Sequence, residues 1–436
     1  MAQRQREDAR GPFAGYHARR AGEPDPELTL IDRATPCGEY MRRFWHPIAL
    51  TGDLDDSPVA IDVLGEELVL FRDLGGRIGL LQRRCSHRNT SLEFAKLCER
   101  GLRCCYHGWH YDIDGTILDI PGEAPGSTLK ERLFHGAYPV VEHAGLLFAY
   151  MGPPDRKPDF PVYDFMAYAG QELYPVRWRS DCNWLQLREN TQDPIHFVFL
   201  HSMFEHQQFG PWSYEVPEIE AHQTPIGQIT TSARRVYDYL YVRTNELILP
   251  TATRVPDVTD FVDEIPLVHR RGVTEWTTPL TNASTIVIGW FHMLDEMDDA
   301  ARRAYLDMIA FGQDGERPYR ERRRNPGDWD AWMLQGEITV HGNEHLTAAD
   351  CGVALYRKQL REGIAAVADG RDPQGIVRGG EGPIRSYASN MTRLAPKPQG
   401  VSAADDRKRW IELARETTAK ALAGEVRQEQ SYGPEA

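Results

Sequence analysis

At 436 residues, 41% of them apolar or aromatic, the chain is longer than one ordinary domain and has material for two cores. Fifty basic against 64 acidic residues leave a net charge of -14, which repels phosphate backbones and anionic membranes, so nucleic acid and membrane surfaces are excluded as partners. No apolar run reaches the roughly 20 residues that span a bilayer. The polar Met1–Arg10 stretch has no export signal, and the seven cysteines are an odd number, so the reading is a cytoplasmic chain with buried or metal-binding thiols.

In chain order, residues 1–40 are mostly polar and read as an N-terminal arm. Short alternating runs follow at Val59–Val63, Glu67–Phe71 and Arg77–Leu81, with Leu64-Gly65-Glu66 and Asp73-Leu74-Gly75-Gly76 between them, the pattern of a β-meander. Two more runs, Trp109–Ile113 and Thr116–Ile120, flank Asp114-Gly115, which predicts a type I′ hairpin. Residues 152–161 (GPPDRKPDFP) hold four prolines and predict a linker, so the first domain is all β and covers 41–155. The second covers 156–436. There Trp184–Leu200 has helical length, and Ala233–Leu249, Val273–Thr278 and Ser284–Phe291 read as strands. Helices are expected at Ala348–Ala368, ended by Gly370, and at Ser402–Gly424, before a polar tail. The fold class is α+β: a β domain followed by an antiparallel-sheet, helix-grip-like domain.

Two loops of the β domain carry paired ligands, Cys85-Ser86-His87 and Cys104-Cys105-Tyr106-His107. Each offers one thiolate and one imidazole. Two His in place of two Cys on a [2Fe–2S] cluster is the Rieske substitution, which raises the reduction potential. The alternative is a structural zinc ion in a non-enzymatic binding module, since a Cys₂His₂ set also suits tetrahedral Zn²⁺. In the second domain, His196 and His201 follow Asp193-Pro194. Two imidazoles and a carboxylate form a non-haem iron site that leaves positions for O₂. Five helical residues advance about 500°, which leaves the two His roughly 140° apart, so a π-bulge or a helix end must lie between them.

The string CSHRNTSLEFAKLCERGLRCCYHGWHYDIDG resembles the Rieske box of ring-hydroxylating oxygenase large subunits, with Ser86 where Pro is usual. NWLQLRENTQDPIHFVFLH is similar to the same family's mononuclear iron motif, and Glu344–Asp350 resembles the phthalate dioxygenase-like branch. The resemblance implies that Cys85 and Cys104 hold the inner iron, that His87 and His107 hold the outer one, and that Trp109 packs over the cluster. It further implies His196, His201 and Asp350 on the mononuclear Fe(II), with Glu344 as the substitute acid. Asp193 would link His196 to His107 across a subunit boundary in a homotrimer or a stack of trimers. No nucleotide-binding motif is present, so electrons must come from a separate NAD(P)H-dependent reductase, with or without a ferredoxin. The reaction expected is hydroxylation or demethylation of a small organic substrate with O₂, an aromatic acid in the first instance. Arg234, Arg235, Arg243 and Arg254 are candidates to clamp a carboxylate.

Overall fold

Short-range turn chemistry sets the first domain. Leu64-Gly65 and Ala144-Gly145 take positive φ at both residues (49° and 75°, 45° and 80°), the type I′ geometry that matches strand twist. They join Val59–Val63 to Glu66–Arg72 and Val140–His143 to Leu146–Tyr150. This is a computed structural model; it describes residues 12, 13, 15 and 22–425, except 169, 206, 207, 211, 212, 258, 263, 269–271, 296 and 381. Most of the expected arm before residue 22, and all but one residue of the expected tail, lie outside that range.

The β domain has three small antiparallel sheets. Trp45–Leu50, Leu146–Tyr150 and Val140–His143 form one, and Val59–Val63, Glu66–Arg72, Ile78–Gln82 and Ala137–Tyr138 form the second. The third joins four short strands from Lys96–Leu97 to Ile117–Asp119. The hairpin at Asp114-Gly115 is not type I′. Only Gly115 has positive φ (85°), and its N–H donates to the Asp112 carbonyl at 3.1 Å, so a three-residue loop ends on a left-handed glycine. A Cβ on Gly115 would lie 2.0 Å from the His135 carbonyl oxygen, which excludes any other residue there.

The second domain is built on an eight-stranded antiparallel sheet. Its path runs Gln171–Ser180, Ser284–Leu294, Gly272–Thr281, Ala252–Pro256, Tyr239–Ile248, Gly227–Val236 and Glu218–Thr224, and Ser389–Leu394 pairs with Tyr239–Ile248. The expected strand at Ala233–Leu249 is therefore two strands, turned at Tyr237 with φ 51°. The helix Cys351–Ala368 lies on this sheet, with Val353, Tyr356, Leu360, Ile364 and Val367 buried as their spacing predicts. The last helix, Ala403–Ala423, is capped by Ser402 and ended by Gly424 at φ 88°.

Residues 26–40 correct the reading of an arm. Asp25 and Thr35, each followed by Pro, cap two short helices, Pro26–Thr29 and Pro36–Met41. Leu28, Ile31, Tyr40 and Met41 are fully buried in a core that also takes Leu68 and Leu147 from the β domain and Trp184, Tyr356 and Leu360 from the second. The Tyr40 ring packs so close to Gly363 that a Cβ there would lie 2.4 Å from it. Composition suggested an arm; the two Asp/Thr-Pro caps were the signal for packed structure.

The stretch Trp184–Leu200 is likewise two helices, Trp184–Asn190 and Pro194–Phe199. Pro194 has no N–H and pushes the preceding residue out of helical conformation, so Asp193 (φ -110°, ψ 95°) breaks the run and caps the second helix through Ile195 N–H at 2.8 Å. The second helix ends at Phe199, before His201.

Candidate functional site: two metal-donor sets

The β-domain loops are built alike. Cys85 accepts from Asn89 N–H (2.9 Å) and Cys104 from Gly108 N–H (3.1 Å), each at the backbone carbonyl, and Gly108 takes φ 71°. Both thiols are buried, whereas His87 is exposed and His107 half-exposed. The two imidazole rings lie 4.5 Å apart, and Trp109 stacks parallel to His87 at 5.2 Å. Burial pushes the Cys104 thiol up, and the backbone N–H groups of Tyr106 and His107 aimed at its sulfur oppose that shift. Buried sulfurs offered N–H donors suit thiolates, which need a cationic partner. Among the described residues, no three of these four donor atoms meet within 4.8 Å, as a single tetrahedral ion would require. Sulfurs inside and imidazoles outside fit a two-iron cluster.

Two residues that sequence reasoning passed over support these loops. The Tyr111 hydroxyl lies 3.0 Å from Cys85 Sγ. His135 donates from Nε2 to the Gln82 carbonyl (2.7 Å), so its Nδ1 accepts the Ser86 hydroxyl proton (2.7 Å). Ser86, the departure from the usual Pro, thereby gains a hydrogen bond that proline could not make.

In the second domain the helix break brings His196 and His201 to a ring separation of 5.4 Å. His196 donates from Nδ1 to the Asp193 backbone carbonyl, and His201 donates from Nδ1 to Gln208 Oε1 at 2.7 Å. Both Nε2 atoms are therefore free acceptors. They face the same atom, Asp328 Oδ1, at 3.6 and 3.4 Å. Three acceptors in a buried site repel one another unless a cation or a proton lies among them, and this donor set fits iron. Burial alone would raise the Asp328 carboxyl, but the two imidazoles outweigh it and hold the group far below the usual carboxylate range. His201 is raised despite its burial, because of Asp328, and His196 is lowered by burial.

Asp350 is not in this set. Its Oδ2 accepts from Thr347 N–H (2.6 Å) and Thr347 Oγ1 (2.8 Å), a capping box before the helix Cys351–Ala368. The substitute, Glu344, is held with Glu189 by the Arg357 guanidinium at 2.6 Å to each. Asp328 instead opens the helix Asp328–Met333 after Gly327, in the turn Asn325-Pro-Gly-Asp-Trp-Asp, where acids are common as caps. Asp193 caps its helix, and its Oδ2 lies 3.9 Å from His196 Nδ1. His292 is a buried core group, its Nε2 2.8 Å from Thr274 Oγ1.

A cavity of about 150 Å³ opens at the His pair, walled by Trp178, Val255, Val273, Val287, Met308 and Ile309. Of the four candidate arginines only Arg243 lines it. Arg243 is buried over the Phe197 ring at 4.8 Å, its Nη2 donates to the Pro256 carbonyl at 2.9 Å, and among the described residues its Nε and Nη1 have no hydrogen-bond partner. Burial lowers its pKa, and Asp257 acts on it electrostatically from the same wall. Arg235 pairs with Asp406, and Arg254 donates to Ser386.

The Rieske [2Fe-2S] domain family matches residues 44–139, which include both Cys/His loops. A curated relative, the oxygenase subunit of tert-butanol monooxygenase / tert-amyl alcohol desaturase from Aquincola tertiaricarbonis, is 38% identical over 90% of this chain and 88% of its own. Phenoxybenzoate dioxygenase subunit alpha from Ectopseudomonas oleovorans is 37% identical over 81% of this chain and 88% of its own. NdmA of Pseudomonas putida CBB5, solved as a mutant with caffeine, shares the fold at TM-score 0.62 and 20% identity, over 79% of this chain and 99% of that one. The class is thus an enzyme with a Rieske cluster and a mononuclear non-haem iron. The chain belongs to the Rieske non-haem iron oxygenases, as the oxygenase subunit of a multicomponent system.

One prediction follows from Tyr111. A thiolate at Cys85 bound to a cluster would only accept, so the Tyr111 hydroxyl would donate to it and stabilise the reduced, more negative state. Tyr111→Phe is expected to retain the visible cluster spectrum and lower the reduction potential, measured by spectroelectrochemistry. An unchanged potential would remove this hydroxyl from the set that tunes the cluster.

Proposed function

We propose that Cys85, Cys104, His87 and His107 hold the Rieske cluster, and that His196, His201 and Asp328 hold the iron at which O₂ reacts with a compact organic anion. The observation that carries the iron assignment is the convergence of three acceptors, two of them buried, on one point. When bound, the cluster supplies electrons, and the iron supplies the site where O₂ is reduced and the substrate is hydroxylated or demethylated. The protein's own contribution is placement. The Asp193 carbonyl and Gln208 fix the two tautomers, and the apolar walls keep bulk water from the reacting face.

Electrons arrive from a separate NAD(P)H-dependent reductase, with or without a ferredoxin, in the cytoplasm. The half-exposed carboxylate of Asp193 beside His196, and imidazoles at the cluster surface, support transfer between subunits of a homotrimer, alone or stacked in pairs. In that assembly Asp193 bridges His196 and the partner's cluster ligand.

The substrate reading rests on Arg243 and on size. A cavity near 150 Å³ matches one known to take up benzene, so there is room for a single ring or a branched aliphatic group. A buried guanidinium with idle Nε and Nη1 favours a carboxylate against it. A relative named for phenoxybenzoate agrees with an acid, and one named for tert-butanol does not require it.

Three measurements test these assignments. Asp328→Ala should abolish iron binding at the second site with the cluster spectrum intact. Asp350→Ala should keep the iron and cost about 0.5–1.5 kcal/mol of stability through the lost hydrogen bonds from Thr347; iron lost from Asp350→Ala but kept in Asp328→Ala would reverse the assignment. In Asp193→Asn, both metals should remain while single-turnover oxidation of the cluster slows at least tenfold; a wild-type rate, or a monomer in sedimentation, would sink the relay. Calorimetry on the holoenzyme should show benzoate binding more tightly than benzamide, and Arg243→Gln should weaken benzoate about 10- to 100-fold, the loss expected for a charged hydrogen bond. Equal affinity for the two ligands would sink the anionic reading.

A further inference from the structure

Two of the three iron donors are braced from one helix, Asp299–Ala310, through two glutamines with opposite roles. Gln208 Nε2 donates to the Met308 carbonyl of that helix at 2.7 Å, which leaves Oε1 to accept the His201 Nδ1 proton at 2.7 Å. A carbonyl cannot donate, so the orientation of this amide is fixed by its partner. Gln313 follows the same helix, tied back by its N–H to the Ala310 carbonyl at 3.1 Å. Its Nε2 donates to Asp328 Oδ2 at 2.8 Å, and a carboxylate oxygen likewise accepts only. Asp328 is thus held with Oδ2 occupied and Oδ1 toward both His. Asn190 Nδ2 steadies Oδ1 from the other side at 3.2 Å. The same helix presents Tyr305, Met308 and Ile309 to the cavity, and Gln313 lines it too.

We infer that Gln208 and Gln313 are positioning residues of the iron site, the first acting as an acceptor for His201 and the second as a donor to Asp328. The helix Asp299–Ala310 is their common support, so a ligand that presses on its cavity face acts on two iron donors at once. This rests on the assignment of the iron to His196, His201 and Asp328.

The test compares Q208M, Q208E, Q313M and Q313E with the wild-type holoenzyme. Iron affinity is measured by chelator competition, the electron paramagnetic resonance of the ferrous nitric oxide adduct reports ligand geometry, and the visible cluster spectrum serves as an internal control. Loss of a hydrogen-bonding partner to a metal ligand typically costs 10- to 100-fold in affinity. That loss, with an altered nitric oxide spectrum, is expected for Q208M, Q313M and Q313E. Q208E should lose less iron affinity than Q208M, because a carboxylate still accepts from His201 although it gives up the bond to Met308, whereas at 313 it cannot donate to Asp328. Wild-type iron affinity with an unchanged nitric oxide spectrum in both Met variants, or glutamate tolerated alike at both positions, overturns the assignment. Loss of the cluster spectrum along with the iron would make the glutamines structural and overturn it too. If wild type itself binds no iron beyond the cluster, the reading of the site fails, and not merely the roles of the two glutamines.

Discussion

Three atoms with lone pairs, His196 Nε2, His201 Nε2 and Asp328 Oδ1, are held together in a largely buried site. Such an arrangement costs free energy in the empty chain and stores it as affinity for a cation. Much of the second domain is arranged around that constraint. The break at Asp193-Pro194 turns two His onto one point, where a continuous helix would set them apart. The hydrogen bonds on each Nδ1 remove the one local escape, a flipped tautomer.

The β domain meets the complementary requirement. Its sulfurs lie inside, beside Tyr111 and the backbone N–H groups of Tyr106 and His107, and its imidazoles lie at the surface. A cluster held there would have its charge stabilised from within and its outer iron nearest the surface. The two domains share one core, to which residues 26–41 contribute, so the β domain is not a loosely tethered module.

Arg243 extends the same electrostatic logic to the cavity. Its buried guanidinium lies over the Phe197 ring with Asp257 acting on it, and among the described residues Nε and Nη1 are left without a hydrogen-bond partner, so an anion in the cavity would find them available. The sequence showed four arginines of equal merit on neighbouring strands. Strand alternation and depth in the sheet separated them: Arg235 and Arg254 are tied to Asp406 and Ser386, and only Arg243 faces the cavity.

What the sequence determined by itself is what short spacing controls. The two Cys/His loops, the two His after Asp193-Pro194, the strands around Leu64-Gly65, and the caps at Ser402 and Gly424 all depend on residues within a few positions of one another. Their geometry is nearly settled before the chain folds. The acid that meets the His pair was of another kind. With 64 acids in the chain, Asp350 and Asp328 look alike: each stands at a helix start, each in a pattern that also suits a cap. Only the packing of distant segments decided that Asp350 caps its own helix and that Asp328 meets the His pair, because a carboxylate's partner across the fold is fixed by tertiary contact and leaves no mark in local sequence.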